Sequence, residues 1–582
     1  MSIFGNHVSA EVRALFADCF QKAPTLLAAN RFMQAQSGIA GFFTQEEFEV
    51  VKNSLHESLE VIHEPDRSAY GDFQTNQTLA KAICQKLADN GMVPQVVVEP
   101  TFGLGNFILA VLQQFPTVEE VYGVEIYLPY CWHTKLAIVE HFLQYPERPR
   151  PAINLFNISV FSFDWSAIQK NLVHRKLLII GNPPWVTNAA LSGLNSENLP
   201  RKTNLKRHTG LDAMTGKANF DLGESIALSL LNTFHDCHGT FVFLLKNAVI
   251  RNILIEQRRR KYHIGGLEQQ SINAQKEFGA AVEASLFRCD LNELPVFECL
   301  ESNFYTSISQ RTFGWVQDKF VADIDLYLIA GALDGRCPWE WRQGIKHDCS
   351  KVMELEQVGE KFTNGLGETV MLEPDLIFGL LKSSDLKSAI VNKLRKYTIV
   401  TQTKIGQDTK PIQQLYPLTW QYLLSHREWL DARKSSIYKG NPPFSIFGVG
   451  DYSFKPYKVA ISGLYKQTKF SLLVPTNGKC LMLDDTIYFL GFDNKKTAIF
   501  ALLLLNATVV QTFLRSIVFF DNKRLITKEI LMRIDLRKAA ALVPFSEMNT
   551  LAQTAGIKFE LEDWEYELGQ LNQEQTNQLQ LF

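Results

Sequence analysis

The period of the hydrophobic positions changes along the chain, and each regime predicts a different kind of element. Up to about residue 70 they recur at helical spacing: after Thr44 and Glu47, placed as in a capping box, come Phe48, Val51, Leu55, Leu59 and Ile62. From about Gln95 they gather into short β-branched runs, "QVVVEP", "VEEVYGVEI", "RKLLIIGNPPW", "GTFVFLLKN" and "AVEASLFRC", separated by helical stretches. Parallel strands need crossover helices, so this alternation predicts an α/β fold with a doubly wound, mostly parallel sheet of Rossmann-like type. After about residue 300 the texture becomes aromatic and irregular, as in "CPWEWRQGIKHD" and "FSIFGVGDYSFKPYKV". The pattern predicts a helical prefix over 1–70, a catalytic-type domain over 71–320 and a mixed α+β domain over 321–582. No internal repeat or low-complexity linker sharpens those boundaries.

Composition adds bounds. A chain of 582 residues with 46% hydrophobic content sustains more than one core. Its formal net charge of -2 excludes a globally basic nucleic-acid coat but leaves a local basic cleft open. Nine cysteines without a Cys-x-x-Cys pair argue against a disulfide framework and a zinc ribbon, and fit a reducing cytoplasm; no metal-ligand set stands out. The start, "MSIFGNHVSAEVRALF", lacks the basic residues and apolar run of a signal peptide. The most apolar segment, "AIFALLLLNATVVQTFLRSIVFF", is interrupted by Asn506, Gln511 and Arg515, which predicts a buried helix or strand pair rather than a membrane span.

Candidate chemistry begins at "VVVEPTFGLGNFILAVL". A buried strand ends at Glu99-Pro100, turns through Gly103-Leu104-Gly105 and continues past Phe107 as a helix. Glycines in such a turn allow close backbone approach, and a strand-end carboxylate accepts from an ammonium or hydroxyl. The next strand ends in "VYGVEIY", placing Glu125 where a carboxylate holds ribose hydroxyls. This pair suits NAD as well as S-adenosylmethionine, but position 108 is Ile, so the Gly-x-Gly-x-x-Gly fingerprint is broken. Caps or ion pairs are the alternative use of both carboxylates. Upstream, Phe73-Gln74-Thr75 forms a turn before a helix with Leu79, Ile83 and Leu87 on one face.

Asn-Pro-Pro-aromatic occurs twice, at Asn182-Pro183-Pro184-Trp185 and at Asn441-Pro442-Pro443-Phe444. The first follows the apolar run "KLLII" and therefore stands at the C-terminal edge of an inner strand, where open α/β sheets bind ligands. The second follows "ARKSSIYKG" and predicts a turn or a DNA-facing loop. The first suits methylation of an exocyclic amine, whose lone pair is delocalised into the base. An Asn oxygen and a backbone carbonyl accept its two N–H bonds, localise the lone pair and aim it at a sulfonium methyl. The prolines stiffen the turn, and Trp185 offers a stacking surface for an extruded base. No covalent intermediate is needed, and the chain has no Pro-Cys dipeptide of the kind used for cytosine C5 methylation.

Glu99-Pro-x-x-Gly-x-Gly-x-Phe107, then Glu125, then Asn182-Pro-Pro-Trp185 resembles the γ-class amino-methyltransferases of restriction–modification systems, predominantly adenine-N6 DNA methylases. The resemblance covers most of the chain and implies S-adenosyl-L-methionine as cofactor, duplex DNA as substrate and a C-terminal target-recognition domain. It implies catalytic roles for Asn182, Pro183, Pro184 and Trp185, and cofactor contacts at Phe73, Thr75, Glu99, Pro100, Gly103, Gly105, Phe107 and Glu125. Phe73 and Thr75 match the Phe-x-Thr element, although the customary following proline is Asn76. "KANFDLGESIALSLL" resembles the Asp-Leu element beside the cofactor and points to Asp221; "KEFGAAVEASLF" points to Phe278 against the flipped base. No acid directly precedes Phe161, which leaves Asp164 as the candidate for the cofactor's adenine.

The polar stretch "LPRKTNLKRHTGLDAMTGK" is either a solvated excursion or a lid that orders on phosphate, through Arg201, Lys202, Lys206, Arg207 and Lys217. Arg258, Arg259 and Arg260 are phosphate contacts or a charged helix end. "KPYKVAISGLYKQ" and "FDNKRLITKEIL" mix basic and aromatic residues as a DNA-facing surface does, with Lys458 and Phe444 as further contact candidates. They resemble recognition domains of adenine methylases, including combined methylase–nucleases. No convincing Pro-Asp…Asp/Glu-x-Lys constellation for a nuclease stands out, and the prefix is short for one; a separate restriction endonuclease or defence partner is compatible with this organisation. Cytosine-N4, RNA or protein-glutamine methylation, and a non-catalytic DNA-binding subunit, remain the alternatives.

Overall fold

A computed structural model describes residues 8–54, 73–186 and 221–579, apart from residues 173, 281, 360, 392 and 523. Its contacts divide the chain into two compact units, Met1–Phe320 and Val321–Phe582.

The first unit is organised on a mixed sheet. Strands β1 (Val96–Glu99), β2 (Glu120–Glu125), β3 (Ala152–Asn157), β4 (Leu177–Gly181) and β5 (Gly239–Lys246) are parallel, in the order β3-β2-β1-β4-β5. Next to β5 lies β7 (Ala284–Leu291), antiparallel to it and to β6 (Ile264–Ser271). Beyond β6 the sheet continues through β8 (Glu298–Asn303) and β9 (Ser309–Val316). Strands β1 and β4 are buried throughout, as their unbroken apolar runs require when helices cover both faces. Strand order reverses between β1 and β4, so a ligand crevice is expected at their C-terminal ends.

The N-terminal helices are part of this core rather than an appendage. Phe16, Met33, Phe42 and Phe48 share one apolar cluster with Ile83, Ile108, Trp132 and Ile153. Thr44 and Glu47 form the reciprocal capping box: the Glu47 N–H donates to Thr44 Oγ1 (3.2 Å) and the Thr44 N–H to Glu47 Oε2 (2.9 Å). Buried Lys135 on the helix Leu128–Gln144 donates to the Phe42 carbonyl (2.7 Å) and reaches Glu47 (3.4 Å), with its ammonium 4.6 Å from the Trp132 ring centroid. Lys135→Met would leave Glu47 buried without its cation. A loss of about 3 kcal/mol is expected, measured as a lowered Tm in thermal unfolding of the purified chain.

Among the described residues the second unit holds two smaller sheets. One is five-stranded around Tyr457–Ser462 and Ile487–Phe492; the other is six-stranded around Glu354–Val358, Ile377–Leu381 and Lys396–Ile399. The long apolar segment forms two helices, Lys495–Asn506 and Thr508–Ile517, bent by 60°. Ala498 to Leu505 are buried, and among the described residues no single helix is long and apolar enough to cross a membrane. All nine cysteines are free thiols.

Candidate functional site

A cleft of about 830 Å³, counting its open mouth, lies where β1, β2 and β4 end. Its walls bring together Phe73, Thr75, Glu99, Pro100, Gly103, Phe107, Glu125, Asn182, Pro183 and Pro184, all singled out by the sequence. Ile126, Tyr127, Ile158 and Val160 line it too and carried no motif.

The glycine turn is shaped by its neighbours. Gly103 has φ of +50°, and a Cβ there would fall 2.4 Å from Gln74 Oε1, whose oxygen accepts the Leu104 N–H at 3.1 Å. Gly105 has φ of +73° and would place a Cβ 2.5 Å from Thr134; it caps the helix Asn106–Gln114 just behind the cleft. Gly105→Ala is expected to cost about 2 kcal/mol through strained backbone and overlap and to raise the cofactor Kd, read by thermal unfolding and titration calorimetry.

Glu125 accepts the Gly103 N–H (2.9 Å) and the Tyr127 N–H (2.8 Å), which ties the end of β2 to the glycine turn. Glu99 is buried, and its Oε2 has no hydrogen-bond partner among the described residues. Burial holds its carboxyl well above the ordinary range; the Ile108 N–H works against that shift and the nearby Glu125 charge adds to it. Thr75 Oγ1 is likewise buried without a partner, while the Thr75 carbonyl accepts from Asn106 Nδ2 at 2.9 Å. Asn76, at the customary proline position, caps the helix Gln77–Asp89 by accepting the Leu79 N–H at 2.8 Å.

Asn182 follows β4 directly. Its Nδ2 donates to the Phe73 carbonyl at 2.6 Å, and its buried Oδ1 has no partner among the described residues. The amide orientation is thereby fixed with the acceptor left over. Trp185 is 5% exposed and packs behind the cleft, its ring centroid 5.5 Å from Phe73 and 5.0 Å from Phe278. Its Nε1 donates to the Leu244 carbonyl on β5 (3.3 Å).

Several expectations are corrected. Asp164 does not line the cleft: it caps the helix Trp165–Gln169, accepting from the Ser166 hydroxyl (2.6 Å) and N–H (3.1 Å), bonds that hold its carboxyl below the usual range. Asp221 also lies off the cleft lining, capping the helix Leu222–Phe234 and pairing with Lys246 at 2.6 Å. Phe444 is no DNA contact; it is 3% exposed and packs edge-on against Trp420. Lys458 is 1% exposed, its ammonium donating to the Lys455 (2.8 Å) and Leu481 (2.9 Å) carbonyls, and burial pushes its pKa down to about 8. Of the two alternatives left open for the second Asn-Pro-Pro, the turn holds, with Asn441 Nδ2 on the Ile437 carbonyl (2.7 Å). Arg258, Arg259 and Arg260 match the charged-helix-end alternative: Arg259 and Arg260 both bond Glu256, and Arg258 lies over Phe297 and Trp315. Arg201, Lys202, Lys206, Arg207 and Lys217 lie outside the described residues.

A parallel sheet in the order 3-2-1-4-5, closed by an antiparallel strand and carrying acidic strand ends around a glycine turn, defines an S-adenosyl-L-methionine-dependent methyltransferase. The lining fits that cofactor: a carboxylate oxygen and a hydroxyl, both unpartnered among the described residues, for polar groups, and Ile126, Ile158 and Val160 for a flat apolar one. No known family profile matches the chain. It is 38% identical over 494 residues to the Type II methyltransferase M.NspV of Nostoc sp. (strain ATCC 29411 / PCC 7524), a match covering 83% of this chain and all of that protein. The chain belongs to the type II methyltransferases. Among solved structures, the type IIL restriction–modification enzyme MmeI in complex with DNA superposes with a TM-score of 0.50 at 11% identity, over 86% of this chain and 71% of that one. The type IIG restriction endonuclease BpuSI gives a TM-score of 0.32 at 12% identity, over 97% and 70%.

Proposed function

We propose that the protein transfers a methyl group to the exocyclic N6 of an adenine flipped out of duplex DNA, as the modification activity of a restriction–modification or phage-defence system. The observation that carries this reading is the divided use of the Asn182 amide, whose nitrogen is bonded to Phe73 and whose oxygen is buried at the strand end without a partner among the described residues. An exocyclic amine is a poor nucleophile because its lone pair is shared with the ring. Asn182 Oδ1 accepts one of its N–H groups and a carbonyl of the stiff Pro183-Pro184 turn accepts the other, which localises the lone pair and fixes its direction. Bound in the cleft, S-adenosyl-L-methionine supplies an electrophilic methyl. Glu99 and Thr75 hold its polar methionine end, Glu125 its ribose, and the turn from Gly103 to Gly105 lets the backbone approach. Trp185 stacks on the base once half-buried Phe278 shifts from the Trp185 ring. The second unit serves target recognition, and a separate endonuclease is the expected partner.

The test is transfer of labelled methyl to duplex DNA containing every short site, followed by nucleoside mass analysis. N6-methyladenine is the expected product. N4-methylcytosine would keep the chemistry and move the base; label in RNA or protein alone would overturn the reading.

A further inference from the structure

Lys246 occupies the last position of β5, with Asp221 and the catalytic turn facing its ammonium. It donates to Asp221 Oδ2 (2.6 Å) and to the main-chain carbonyl of Trp185 (2.8 Å). Asp221 is itself fixed, because its Oδ1 accepts the Gly223 N–H at 2.9 Å. The next carbonyl of the turn, Val186 O, accepts the Leu222 N–H at 2.9 Å. Two successive carbonyls after Pro184 are therefore held by one assembly, the N-terminus of the helix Leu222–Phe234 and the lysine anchored on its cap. The Trp185 indole is held by β5 as well, through Leu244 O. Gly223 completes the contact: a Cβ there would come 3.4 Å from Pro183 Cγ and 3.5 Å from Pro184 O.

We propose that Lys246 is a positioning residue for methyl transfer, its ammonium anchored on Asp221 and holding the Trp185 carbonyl so that the Asn182-Pro183-Pro184-Trp185 turn keeps one rotation. This rests on the proposed role of that turn in binding the target amine. Lys246 is not among the residues that line the cleft and so acts through the turn. The carbonyls that flank the amine can rotate only if the following peptide rotates, and a cation bonded at 2.8 Å to the Trp185 oxygen opposes that. Asp221, read from the sequence as a cofactor contact, becomes the anchor of this cation.

The experiment compares wild type, Lys246→Met and Lys246→Arg in three measurements: cofactor Kd by calorimetry, single-turnover methyl transfer to duplex DNA, and hydrogen exchange of peptides covering 182–186. Lys246→Met is expected to keep the Kd within about twofold, slow transfer by 10- to 100-fold and speed exchange in 182–186. Lys246→Arg, which retains a donor cation, is expected to recover most of the rate. Unchanged transfer and exchange in Lys246→Met would overturn the proposal, and so would a cofactor Kd weakened as much as the rate. Should Lys246→Met fail to fold, Lys246→Gln replaces it, and wild-type rate and exchange in that variant would overturn the proposal equally. A wild type that methylates no DNA removes the underlying reading, whereas an active wild type with an equally active Met variant removes only the role of Lys246.

Discussion

Asn182→Ala is expected to lower methyl transfer to DNA by about a thousandfold while Asn441→Ala leaves it unchanged, with cofactor still bound in both. The magnitude is that of deleting one oriented hydrogen-bonding group from a preorganised site, about 3–4 kcal/mol of barrier. The two asparagines open the same tripeptide, so their local chemistry is equal and the difference lies in what the fold does with each amide. Asn182 follows a fully buried strand at the sheet's switch point, lines the cleft and keeps a buried oxygen without a partner among the described residues. Asn441 caps nothing comparable: its Nδ2 closes a turn on Ile437, and the aromatic that follows is locked in a core at φ of +61°. Asn182→Asp separates the two halves of the amide. It retains an acceptor but sets a carboxylate oxygen against the Phe73 carbonyl, so a loss near that of alanine is expected, with lowered stability as well. The check is single-turnover transfer of labelled methyl with a folded-state control by circular dichroism. Equal loss in both alanine variants, or none in either, would remove Asn182 from the reaction.

The parts of this fold that could be read in advance are those whose burial is written in a continuous run. β1, β4 and β5 are unbroken apolar segments, and the acids and the asparagine at their ends, or at the end of β2, inherit a place in the crevice from the topology alone. β3 and β6 were not legible. β3 lies beside β2 with five exposed or half-exposed polar and apolar positions in "AINLFN", and β6 spells "IGGLEQQS", whose Gln269 and Gln270 are buried despite their type. The site shows the same division. Gln74, Asn106 and Lys246 reach partners 30, 31 and 61 residues away, and no local period encodes such a bond. Lys458 and Phe444 failed as surface candidates for a related reason. A lysine whose ammonium is met by two carbonyls, and a phenylalanine edge-on to Trp420, have the composition of a DNA-facing patch and the burial of a core.

Cofactor affinity is expected to rise with pH on the acid side, and Glu99→Gln to flatten that dependence. Burial raises the Glu99 carboxyl well above its ordinary value near 4.5, so in the free protein it retains its proton at pH values where an exposed glutamate has lost it. The sign follows from proton counting. Between the ordinary and the raised value the folded chain binds one more proton than the unfolded chain, so this group makes stability fall as pH rises through that window. Holding the cofactor's ammonium requires the carboxylate, so binding expels the proton and the observed Kd improves by about tenfold per pH unit below the raised value, then levels. On the alkaline side the cofactor's own α-amino group, with a pKa of about 8, loses its charge and reverses the slope. Glu99→Gln keeps the shape and removes the proton, so its Kd is expected to be weaker at neutral pH and independent of pH on the acid side. Titration calorimetry of both proteins in buffers of different ionisation enthalpy counts the released proton directly. A wild type that releases none, or a Gln variant with the same acid slope, would assign the cofactor's ammonium to a group other than Glu99.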